Sequence, residues 1–178
     1  SAYTAAGSGY TAYPVGAPSA TDTSTKNESV IAYVLGTVIN IYCTDSTLNF
    51  QQNCEYLFSS SYYNSTGQPS YYPYRLTALT TLDFGSVTID TSRVTNMGYM
   101  FAGCSALSTL DVSEWDTSSV KNMNWMFYNC KALSTLNVSG WDTSSVKNMY
   151  MMFYNCKALS TLNVSEWNTS NVTNMGYM

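Results

Sequence analysis

One phrase, repeated along the second half of the chain, governs what this sequence can fold into. Trp115, Trp141 and Trp167 stand 26 residues apart, as do Met97, Met123, Met149 and Met175, and then Met100, Met126, Met152 and Met178. Phe101, Phe127 and Phe153 keep the same step, with Cys104, Cys130 and Cys156, and Leu110, Leu136 and Leu162. Columns held in phase over a fixed period of this size mark a tandem array whose units bury a core only by stacking. A lone unit fails because ordering 26 residues costs more free energy than its few inward apolar side chains return.

Within one unit the hydrophobic period changes. Leu110-Asp111-Val112-Ser113 alternates apolar and polar, which predicts a short strand with Leu110 and Val112 buried. Val120, Met123, Met126 and Phe127 then recur at spacings of three and four, which predicts a short helix, with Asp116, Thr117 and Ser118 as its N-capping side chains. Stacked units bring identical strands side by side in parallel at about 4.8 Å. The expected fold is an α/β solenoid, a stack of short parallel strands and short helices over residues 76–178.

The phrase Leu-x-Val-Ser-x-Trp-Asp-Thr-Ser-x-Val-x-Asn-Met-x-x-Met-Phe-x-x-Cys-x-x-Leu resembles the leucine-rich-like repeat of BspA-type bacterial surface proteins. The resemblance runs from about Leu76 to Met178. It implies a leucine-rich-repeat-like fold displayed outside the cell, used in adhesion to host proteins or other cells, and it implies no catalytic residues. The first unit departs from the phrase, with Leu82-Asp83-Phe84 in the strand place, Ile89 where Trp is expected, and two extra residues before Asp90.

Ahead of the repeats, residues 1–28 read as an extended arm rich in Tyr, Ala and Ser, and residues 29–75 as a β-rich cap for the first unit. The β-branched run from Val30 to Tyr42 predicts one or two strands there. Cys43 and Cys54 lie ten intervening residues apart in this cap and suit a disulfide. The chain opens on Ser1 and stops in mid-unit, so a processed product or a piece of a longer array is expected, or else a unit completed by another subunit.

Composition narrows the chemistry. There is no histidine, which removes the commonest general base and metal ligand together with every Ser-His or Cys-His arrangement. Seven basic against eleven acidic residues give a net charge of −4, so nucleic acid is not an expected partner. No run is long and apolar enough for a membrane span. Charged residues make up only 10% while the chain holds 16 Tyr, and the surface polarity comes from hydroxyls and amides. Of six N-x-S/T triplets, Asn27 and Asn64 lie outside the repeats and are the glycosylation candidates in a secreted chain.

Three repeat columns invite functional readings. Cys104, Cys130 and Cys156 read as reduced thiols packed as small hydrophobes, because side chains in parallel register about 4.8 Å apart do not converge to disulfide geometry. They belong with Met97, Met123, Met149, Trp115, Trp141 and Trp167 to the core ladder, the Trp column having a second reading as an exposed strip for carbohydrate. Asp90, Asp116 and Asp142, continued by Asn168, read as caps rather than as a cation ladder or a hydrolytic pair. The polar strand face, Thr109, Asp111 and Ser113, then Thr135, Asn137 and Ser139, then Thr161, Asn163 and Ser165, is the expected ligand surface. It suits a host or matrix protein or a glycan. The expected function is a non-catalytic extracellular adhesion module without a cofactor or metal. The alternative is a structural subunit polymerising head to tail into a surface filament or layer, and a carboxylate glycan hydrolase has least behind it.

Overall fold

The computed structural model describes residues 78–84 and 88–178, with Gln52, Leu57, Phe58 and the backbone of the strands that precede the repeats. Among the described residues ten strands are formed in chain order: β1 (Thr11–Pro14), β2 (Val30–Leu35), β3 (Val38–Cys43), β4 (Thr47–Asn49), β5 (Tyr62–Tyr63), β6 (Pro69–Ser70), β7 (Thr81–Asp83), β8 (Thr88–Asp90), β9 (Thr109–Leu110) and β10 (Thr135–Leu136). Six of them make one sheet in the order β1-β2-β3-β7-β9-β10. β2 and β3 form an antiparallel hairpin with β1 antiparallel on its outer side. β3, β7, β9 and β10 then run parallel, with Leu136 opposite Leu110 and Thr135 opposite Thr109. The hairpin thus continues the sheet that the repeats build. Thr109 faces Thr81, a step of 28 rather than 26, because the first unit carries its two extra residues.

The repeat strands are only two residues long, shorter than the alternation of Leu110 to Ser113 predicts. The cause is local. Oδ1 of Asp111 accepts from the amide and hydroxyl of Ser113 at 3.0 and 2.7 Å, and Asn137 does the same with Ser139. These side chains offer the backbone a bend in place of the next ladder bond.

Among the described residues there is no α-helix, and the segment from Val120 to Phe127, which its spacing predicts to be helical, is a run of turns. Amides alternate in their use. Met126, Tyr128 and Cys130 donate back three residues to Met123, Trp125 and Phe127, while Met123, Trp125, Phe127 and Asn129 donate across to carbonyls of Asn148, Tyr150, Met152 and Tyr154 in the next unit. An α-helix would keep all of these bonds within the segment. Left-handed residues make the alternation possible: Trp125 at φ 58° and Asn129 at φ 60°. Turns of this kind place inward residues three and four apart, as a helix does.

The two left-handed columns are filled differently. One holds Gly103, Asn129 and Asn155, the residue types that adopt this conformation at least cost. The other holds Tyr99, Trp125, Met151 and Tyr177, for which the conformation costs about 1–2 kcal/mol each.

Inside the stack, Val120, Met123, Met126, Phe127, Cys130 and Leu133 are fully buried, and so are their counterparts one unit earlier. Phe58, Phe101, Phe127 and Phe153 stack in sequence with centroids 5.3, 5.5 and 5.6 Å apart. Thr91, Thr117 and Thr143 are buried to 1% exposure, each donating its hydroxyl to a carbonyl of the next unit: Asp116, Asp142 and Asn168. Asn122 donates its amide to Oδ1 of Asn96 at 3.0 Å, on the line of parallel bridges Asn96, Asn122, Asn148 and Asn174.

Two outcomes follow for stability. Met126→Asp sets an unpaired charge in the core and is expected to remove more than about 3 kcal/mol, whereas Lys131→Ala on the exposed turn should change stability by less than about 0.5 kcal/mol; equal melting temperatures would overturn the inward and outward assignments. A Cβ at Gly98 would lie 2.5 Å from Oδ1 of Asn124. Gly98→Ala should therefore cost about 1–3 kcal/mol, and adding Asn124→Ala should restore part of it in a denaturant titration.

Candidate functional site

The polar strand face lies where the Asx bends put it. Thr109, Asp111, Thr135, Asn137, Thr161, Asn163 and Ser165 are exposed, and Ser113 and Ser139 are half-buried. Oδ1 of Asn163 holds the amide and hydroxyl of Ser165 as its counterparts do, so the motif recurs in three successive units. Hydrogen bonds from the Ser113 amide and hydroxyl hold the Asp111 carboxyl below the usual carboxylate range. Neutral Asn fills the place in the next two units with the same geometry, so charge is not what the bend requires.

The second acidic column also bends the chain, without capping a helix. Oδ1 of Asp90 and of Asp116 accepts from the amide and hydroxyl of the Ser two residues on, and Asp142 and Asn168 from the corresponding amides. The serine hydroxyl and amide hold the carboxyls of Asp90 and Asp142 below their ordinary value. General-acid work calls for a shift in the opposite direction. No three of His, Cys, Asp or Glu gather at one point among the described residues.

The thiols form a ladder of their own. Sγ of Cys104, Cys130 and Cys156 donates to the carbonyls of Phe58, Phe101 and Phe127 at 3.1, 3.2 and 3.1 Å, the last two one unit back and Phe58 ahead of the repeats, and none of the three is in a disulfide. Burial pushes the Cys104 thiol up to about 12 and the Cys156 thiol up to about 11. Burial with neighbouring thiols raises Cys130 well above the ordinary value. A nucleophilic cysteine needs the reverse.

The Trp column is inside, not an exposed strip. Trp115 and Trp141 are buried, and Trp141 and Trp167 stack at 6.4 Å, donating their indole N–H to the carbonyls of Val112 and Val138. Met97, Met123 and Met149 are fully buried beside them. The surface rings are others, which the columns did not disclose. Tyr99 stacks on Trp125 at 5.4 Å, Trp125 meets Tyr128 at 4.5 Å and Tyr150 at 5.8 Å, Tyr128 stacks on Tyr154 at 5.6 Å, and Tyr150 meets Tyr177 at 6.0 Å. These six rings run unbroken along the turn side, half-buried at one end and 70% exposed at Tyr177. Their signals in the sequence are Trp125, a tryptophan outside the Trp column, and the spacings of 26 that join it to Tyr99 and Tyr128 to Tyr154. Cys54, Asn27 and Asn64, and the side chain of Cys43, lie outside the described residues.

Units joined by parallel pairing and by side-chain ladders define a tandem-repeat protein. The chain belongs to the family described as "Mycoplasma protein of unknown function, DUF285", whose profile matches residues 77–178. No curated protein and no solved structure matches the chain. No helix among the described residues is long and apolar enough to cross a membrane.

The thiol shifts have a consequence in alkali. An unfolded thiol releases its proton near 9.0, and buried Cys104 only near 12, so this group adds stability that is whole below pH 9 and is lost as pH rises toward 12. The loss approaches about 1.4 kcal/mol per pH unit for each such thiol. Chemical denaturation between pH 9 and 11 should show a shallower decline for Cys104→Ala than for the parent chain; identical slopes would mean that the thiol titrates alike folded and unfolded.

Proposed function

We propose that this chain is a non-catalytic binding or adhesion module of an extracellular surface. In this reading its units form a leucine-rich-repeat-like solenoid of the BspA type, and the strand face engages a host or matrix protein or a glycan. The observation that carries the reading is the exposed Thr and Asx-Ser set repeated over three units, from Thr109 to Ser165. Oδ1 of each Asx residue is committed to its bend, so Oδ2 of Asp111 and Nδ2 of Asn137 and Asn163 are the atoms left for a partner. A surface repeated at the strand spacing suits a ligand that itself repeats. The lowered acids, the raised thiols and the absence of histidine support binding over catalysis.

A second reading is a structural subunit that polymerises head to tail into a surface filament or layer; the repeated seam, in which Thr91, Thr117 and Thr143 each donate to a carbonyl of the next unit, is the kind of junction by which one copy would continue another.

A glycan and matrix-protein array tests the first reading. Replacing Asn137 and Asn163 together by Trp should abolish the binding at unchanged melting temperature, and full retention would place the site on another surface. Size-exclusion chromatography with negative-stain imaging separates the two readings, since a filament-forming chain gives particles that lengthen with concentration and a module does not.

A further inference from the structure

The ring stripe on the turn side is the part of the repeat that folding alone does not account for. Tyr99, Trp125 and Tyr177 sit at φ 57°, 58° and 56°, in a conformation that large side chains adopt at a cost. The same molecule holds a control, because the left-handed positions four residues on carry Gly103, Asn129 and Asn155. Where only the backbone matters, the repeat uses residues that the backbone favours.

The stripe also behaves unlike the inner ladders. Those keep one residue type in one column. The stripe instead changes column and stays continuous: Met151 replaces the ring in the third unit, and Tyr150, one residue earlier, meets both Trp125 and Tyr177. Ala102 stands where Tyr128 and Tyr154 follow. The aromatic surface is kept unbroken across the one place, Met151, where its column loses the ring.

Charge identifies what such a surface takes. Segments 96–107, 122–133 and 148–159 contain no Asp or Glu, and their charges are Lys131 and Lys157, both exposed. The acids of the repeats are confined to other segments, in a chain whose net charge is −4. Rings, phenol hydroxyls and two ammonium groups match a polymer with C–H ring faces, hydroxyls and anionic groups. Two lysines are too few for the dense charge of a nucleic acid. We propose that the stripe formed by Tyr99, Trp125, Tyr128, Tyr150, Tyr154 and Tyr177, with Lys131 and Lys157, binds an acidic polysaccharide laid along the stack. Units follow one another at about 4.8 Å, on the scale of one sugar ring, so successive sugars meet successive units. This surface is separate from the strand face.

The experiment is biolayer interferometry of the full chain on immobilised hyaluronan, chondroitin sulfate and alginate, with neutral dextran, an oligo-glutamate peptide and single-stranded DNA as comparisons. Binding to at least one acidic polysaccharide, weakened by salt, is expected. Trp125→Asn puts at φ 58° a residue that Asn129 shows to be suited to it, so the melting temperature should hold or rise while affinity falls at least tenfold. Lys131→Ala with Lys157→Ala should leave melting unchanged, weaken binding several-fold and reduce its salt dependence, which keeps the test valid if Trp125→Asn does not fold. The proposal is overturned by no binding to any acidic polysaccharide, by equal binding to dextran, by preference for the peptide or DNA, or by parental affinity in either the Trp125 or the lysine variant.

Discussion

Everything in the repeat depends on the turn-segment amides that leave their own unit. Met97, Tyr99, Phe101 and Gly103 give their N–H groups to the unit that follows, and Met123, Trp125, Phe127 and Asn129, then Met149 and Met151, do the same. A buried amide without an acceptor is costly, so each unit is held in its bent path only while the next one is present. This makes folding collective. It also explains why the interior can be built of Met, Phe and Cys columns: once the backbone of one unit is in register with the next, each side chain falls upon its own kind.

Much of this was legible because a repeat states its own register. In the first two complete units the columns of Trp, Met, Phe, Cys and Leu are buried, and the two extra residues of the first unit reappear as the step of 28 between Thr81 and Thr109. The helix was not legible, for a physical reason. Val120, Met123, Met126 and Phe127 mark an inward face that returns every three or four residues, and a run of turns with left-handed residues at Trp125 and Asn129 shares that spacing. Asn129 and Asn155 below Gly103 were the available hint, since a Gly and Asn column at one place belongs to a turn rather than to the middle of a helix. The outer rings are harder to read because their columns are mixed: Tyr99, Trp125 and Tyr177 share a column with Met151, and Tyr128 and Tyr154 share one with Ala102.

The polar columns show one device used for several ends. Asx side chains at 90, 111, 116, 137, 142, 163 and 168 all take the amide two residues on. Asp and Asn exchange freely among them because the acceptor is a single Oδ1. Sequence alone reads an acidic column as a possible ligand set, yet Asn168 keeping the geometry of Asp142 marks the bend as the common requirement.

The seams between units have a bearing on how such a gene can change. The parallel bridge from Asn to Asn, the hydroxyl of each buried Thr on the next carbonyl, and the Phe on Phe stacking recur from junction to junction. An in-frame gain or loss of 26 codons therefore joins one seam to another that already fits it. What such recombination alters is the outside: with one unit removed, Gly98 would meet Tyr150 in place of Asn124, and the run of surface rings would be re-spliced into a different order. A frame indifferent to its own length, carrying an exterior reshuffled by each change of length, lets a lineage diversify its surface without redesigning its core.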